Sequence, residues 1–130
     1  MLQNFYPQLA GFHVLFRWIV LALGVAAAVL AFSGWQTTTP PGKNLLRLGI
    51  LFAVAMDVEL IVGLLAYLGA SPALRSAFLP HGVIMFLAVL LAHLGGALTR
   101  KAATDVAKHR APAIIWTLSL LLILGGIPRH

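Results

Sequence analysis

Four apolar runs dominate the sequence, each roughly 18–24 residues long, which is enough for a helix to cross a bilayer core of about 30 Å. They lie at Gly11–Phe32, Leu45–Leu68, Pro80–Leu98 and Ala111–Ile127. A backbone in hydrocarbon must satisfy its own hydrogen bonds, so runs of this length read as transmembrane helices. Composition agrees. The chain is 61% hydrophobic and only 9% charged, with a mean hydropathy of +0.97, whereas a soluble domain carries about a quarter charged residues. The expected fold is all-α: one integral membrane four-helix bundle over residues 1–130, with short connections making successive helices antiparallel neighbours.

The connections carry the topology. Ser33–Asn44 contains Thr37-Thr38-Thr39-Pro40-Pro41-Gly42, which cannot continue a helix. Gly69–Leu79 opens with Gly69-Ala70-Ser71-Pro72, and Thr99–Arg110 is the most basic segment, with room for a short surface helix. Lys43, Arg47, Arg100, Lys101, Lys108 and Arg110 follow the first and third spans, against Arg17, Arg75 and Arg129 elsewhere. The positive-inside rule then puts the first group in the cytoplasm and both termini on the outer side. The same rule accounts for the net charge of +6 without nucleic acid. Met1–Ala10 has no Lys or Arg, so the first run reads as a retained helix and not as a signal peptide. Tyr6, Tyr67 and Phe78 on the outer side, and Trp35 and Trp116 on the inner, suit interfacial belts. Gly24, Gly63, Gly95 and Gly96 would let helices approach closely. With no cysteine in the chain, disulfides and thiolate metal sites are excluded.

Ionisable groups inside a span are disfavoured and invite a functional explanation. Here they are His13 and Arg17 on the first span, Asp57 and Glu59 on the second, and His81 and His93 on the third. Helical rise puts Arg17 within reach of Glu59, and His93 level with Asp57. Each pair is either an ion pair that fixes helix register or, for the carboxylates, a quinone-headgroup or proton site. His13 and His81 lie at matched depth near the outer surface. Either they are axial ligands to a haem b iron, or they are interfacial histidines bonded to backbone and water. Met85, one turn from His81, would line a haem pocket or simply fill the core. His109 is a distant candidate partner for His93. A single histidine could also hold the magnesium of a chlorophyll-type pigment.

Nucleotide-binding, metalloprotease and serine-hydrolase motifs are absent, and the loops are too short for a catalytic domain. His13-x-x-x-Arg17-Trp18, Asp57-Val-Glu59-Leu-Ile-Val-Gly63-Leu-Leu-Ala-Tyr67 and His81-x-x-x-Met85-x-x-x-Val89-x-x-x-His93 together resemble a family of small four-span bacterial membrane proteins labelled cytochrome b-like. The resemblance continues through Lys108-His109 and Ile127-Pro128 and covers most of the chain. It implies haem ligands at His13 and His81, with Asp57 and Glu59 in a shared polar set. The chain departs from the family pattern at Pro80, where an acidic residue is usual, and at Glu59, where glutamine is usual. Three functions follow as expectations. The first is a haem b electron-transfer protein or subunit of a larger membrane redox complex. The second is a haem-free accessory subunit of a respiratory or photosynthetic complex. The third is a small transporter, which the position of Glu59 on the second span disfavours.

Overall fold

The computed structural model describes residues 1–38 and 40–128. Thr39, part of the first helix break, and Arg129, one of the basic residues assigned to the outer side, lie outside them. The described residues form four helices: α1 (Leu2–Thr37), α2 (Lys43–Gly69), α3 (Pro72–Lys101) and α4 (Asp105–Gly126). All four are long and apolar enough to cross a membrane. Consecutive helices pack side by side, and α4 returns to α1, so α1/α3 and α2/α4 are the diagonals of a four-membered ring.

The helices outrun the apolar runs because their ends are set by caps and breakers, not by hydropathy. Thr38 ends α1 in the left-handed region (φ 53°), and the prolines that follow prevent propagation. The largest difference is at α3. Pro80 reads as a helix start, yet the start is Pro72, where Ser71 Oγ accepts a hydrogen bond from Leu74 N at 3.4 Å. Pro80 sits inside α3 and simply leaves the Ser76 carbonyl without its helical donor. Thr104 caps α4 by accepting from Ala107 N at 3.1 Å, with Asp105 in the first turn, so only residues 102–104 separate α3 from α4. The expected basic loop is therefore mostly helix. All six of its and the first connection's basic residues gather at one end of the bundle.

The core is built from small walls and a few large inserts. Gly24, Ala27, Ala28, Ala31 and Gly34 of α1 and Ala88, Ala92 and Gly95 of α3 are buried, and Phe52 and Trp116 are inserted among them. A Cβ on Gly49 would stand 2.7 Å from the Trp116 ring, so glycine there is space for the indole. Gly24, Gly49, Gly63 and Gly95 thus admit large side chains, whereas Gly69 lies against the Leu2 backbone and Gly96 meets only Arg100. Trp116 is fully buried and corrects its assignment to an interfacial belt. Its Nε1–H donates to Ala92 O at 3.1 Å, and Ser119 Oγ donates to Ala88 O at 2.8 Å. Pairing 92 with 116, 88 with 119 and, as shown below, 81 with 126 defines one antiparallel register. The outside of the bundle is lined by large apolar side chains, among them Leu15, Trp18, Val29, Ile61 and Leu121, all more than half exposed.

Candidate functional site

At the end of the bundle opposite the basic cluster, α1 brings His13 and α3 brings His81 across the diagonal. Their ring centroids are 6.0 Å apart and their planes cross at 88°. The two helices do not touch directly, so the imidazoles themselves bridge the gap. His81 Nδ1 lies 2.7 Å from the carbonyl oxygen of Gly126, the last residue of α4. That carbonyl belongs to the orphan set at a helix C-terminus, and it accepts only if the ring carries its proton on Nδ1. The lone pair of His81 is then on Nε2. Ile84 and Met85 pack on Gly126, where a Cβ would come within 2.5 Å of Met85 Cε. Met85 thus stands beside the His81–Gly126 link.

His13 is placed by α2. Its Nδ1 is 3.1 Å from Glu59 Oε2, with side-chain exposures of 26% and 12%. One turn on, Gly63 makes room for the ring: a Cβ there would be 2.9 Å from His13 Cε1. The ion-pair contact is close but poorly aligned, since His13 Nδ1 and Glu59 Oε1 are both buried without a hydrogen-bond partner. Arg17 Nε is a third such atom. Its guanidinium lies 5.2 Å from the Trp18 ring centre, and Arg17 makes no ion pair within the described residues. Glu59 therefore meets His13 and not Arg17. His13 and Arg17 are four apart and share one face of α1, so the axial register of α1 against α2 is what selects His13.

The second polar pair forms between the expected partners, but on the outside of the bundle and not buried within it. His93 Nε2 and Asp57 Oδ1 are 2.8 Å apart. Both side chains face outward, 52% and 43% exposed. His109 is elsewhere: it is buried at the basic end, beneath Gly34 of α1, and the fold does not bring it to His93. An open cleft at that end is lined by Ser33, Gly34, Lys43, Asn44 and His109, and it holds neither His13 nor His81.

Sequence reasoning missed the Gly126 carbonyl and the Glu59–His13 contact. The second had a signal, because Glu59 and Gly63 are four apart and so share a helix face. The first had none, because a backbone acceptor carries no residue signature. Among the described residues, no three His, Asp or Glu side chains lie together to hold a bare metal ion. A macrocycle that brings its own equatorial donors needs only two axial nitrogens. Comparison with known protein families, curated proteins and solved structures finds no match for this chain.

Proposed function

We propose that the chain is a multi-pass bacterial inner-membrane protein of the cytochrome b-like kind, with both termini outside. It holds one b-type haem between His13 and His81 and passes electrons within the membrane, alone or as a subunit of a larger membrane redox complex. The observation that carries this reading is the His13–His81 geometry. Two imidazoles on one metal, at about 2.0–2.1 Å from each nitrogen, put their ligating nitrogens about 4 Å apart and their ring centres near 6 Å. The observed 6.0 Å matches that spacing. Rings crossed at 88° can both stand upright on opposite faces of one porphyrin.

The surroundings fit the group. Gly126 O holds His81 in the tautomer that leaves Nε2 for iron, and Glu59 offers the same service to His13 once its ring turns into line. A backbone carbonyl or carboxylate on the far nitrogen is the usual way a ligating histidine is oriented. The three unpartnered buried atoms on His13, Glu59 and Arg17 mark this corner as polar beyond what packing alone needs. When bound, the haem supplies a one-electron centre. Met85 and Ile84 would shield one side of it from water.

The test is a dithionite-reduced minus oxidised spectrum of the purified protein, with pyridine haemochrome stoichiometry. One haem b per chain is expected, lost in His13→Ala and in His81→Ala and kept in His93→Ala. Folded, membrane-extracted protein without haem refutes the reading. It would leave the second one: a haem-free accessory subunit.

A further inference from the structure

The Asp57–His93 pair serves neither the core nor the His13–His81 corner. It sits on the outer face of α2 and α3, with side chains 43% and 52% exposed. Helical rise puts Asp57 about 15 Å from Arg47, and His93 about 10 Å from Arg100. Those arginines belong to the basic end, which marks one bilayer surface, so the pair lies well inside the hydrocarbon layer. Ile50, Val54 and Ile61 of α2 and Phe86 and Leu90 of α3 flank it, each at least half exposed. Charged groups at this depth face protein or water, and lipid solvates them poorly. Their mutual bond also leaves capacity unused. Joined through Nε2 and Oδ1, the pair keeps a second ring nitrogen, His93 Nδ1, and a second carboxyl oxygen, Asp57 Oδ2, to spare. Neither has a hydrogen bond within the described residues.

We propose that a second copy of this chain covers this face, related by a two-fold axis along the bundle. The chemistry of the pair selects a copy over an unrelated subunit. A two-fold interface is self-complementary: what one subunit presents, it also receives. Asp57 and His93 stand side by side at one level, so the axis sets His93 Nδ1–H against the partner's Asp57 and Asp57 Oδ2 against the partner's His93. Four charge-assisted hydrogen bonds then close into a ring with no polar atom left toward lipid. The flanking aliphatic residues pack around that ring. The inference rests on the membrane-spanning reading and is independent of haem.

The chain has no cysteine of its own, so single-cysteine probes report proximity directly. Membranes carrying Val54→Cys or Leu90→Cys are oxidised, with Val29→Cys on α1 as the control from another face. Cross-linked dimer is expected at least tenfold above the control for one or both probes. Adding Asp57→Leu and His93→Leu to the responsive probe is expected to lower its yield at least tenfold. The pair lies outside the core, so helical content is expected to stay constant. If it falls, Asp57→Asn, which keeps the side-chain shape, gives the same read-out. Equal cross-linking of all three probes, none at positions 54 and 90, or a yield indifferent to the pair each overturns the proposal. A chain that alkaline carbonate washes from the membrane fails on spanning. A chain that stays and does not cross-link fails on pairing alone.

Discussion

Replacing His13 and Glu59 by leucine, singly and together, tests whether the corner holding the candidate ligands is a coupled unit. The carboxylate is 12% exposed and the imidazole 26%, with nitrogen and oxygen 3.1 Å apart. In His13→Leu, Glu59 remains a largely buried carboxyl whose Oε1 already lacks a hydrogen-bond partner. Breaking a buried pair from one side costs about 3–5 kcal/mol. In Glu59→Leu, the part-buried imidazole loses its acidic neighbour, costing about 1–3 kcal/mol. In the double variant two apolar side chains of suitable volume meet, and the desolvation penalties vanish together. The double variant is therefore expected to be more stable than His13→Leu alone, with a coupling energy of about 2–3 kcal/mol. Denaturant unfolding in detergent micelles, followed by far-ultraviolet circular dichroism, measures the cycle. Additivity within about 0.5 kcal/mol would show that the two side chains are neighbours without interaction and would refute the argument.

Two further substitutions probe the frame around that corner. Trp116→Phe removes the Nε1–H bond to Ala92 O together with part of the buried indole and is expected to cost about 1–3 kcal/mol, the carbonyl keeping its helical donor. Trp116→Ala leaves a cavity between Gly49 and Gly95 and is expected to cost about 3–5 kcal/mol in the same unfolding assay; equal effects would show that the indole body is not packed as described. Arg75 donates through Nε to Tyr67 O at 3.2 Å and through its terminal nitrogen to Leu68 O at 2.6 Å, closing the C-terminus of α2. Arg75→Ala is expected to lower stability by about 0.5–1 kcal/mol and to speed amide exchange over residues 70–74; unchanged exchange there would remove the cap from the account.

The number of helices, their alternation and the gathering of basic residues at one end all follow from the order of apolar and polar segments along the chain. Helix ends were less legible, because hydropathy marks where a helix is greasy and not where its hydrogen bonds stop. Ser71-Pro72 and Thr104-Asp105 carry the cap chemistry, yet the apolar runs begin at Pro80 and Ala111, one or two turns later. The Asp57–His93 pair was readable from depth alone, since both groups project into the same groove at one level. Glu59 offered two basic partners at nearby depths, and depth could not choose between them.

What the sequence determined by itself is an all-α chain of four helices long and apolar enough to cross a membrane, with two histidines near one end and an acidic pair in the second helix. What only the tertiary structure decided is rotation. Helices that are apolar all round carry no hydrophobic stripe to name their inward face. That face is chosen by which small residues can receive Phe52 and Trp116, a property of helix pairs and not of any one segment. The same choice turns Glu59 inward to His13, turns Asp57 outward with His93, and sets the Gly126 carbonyl against His81.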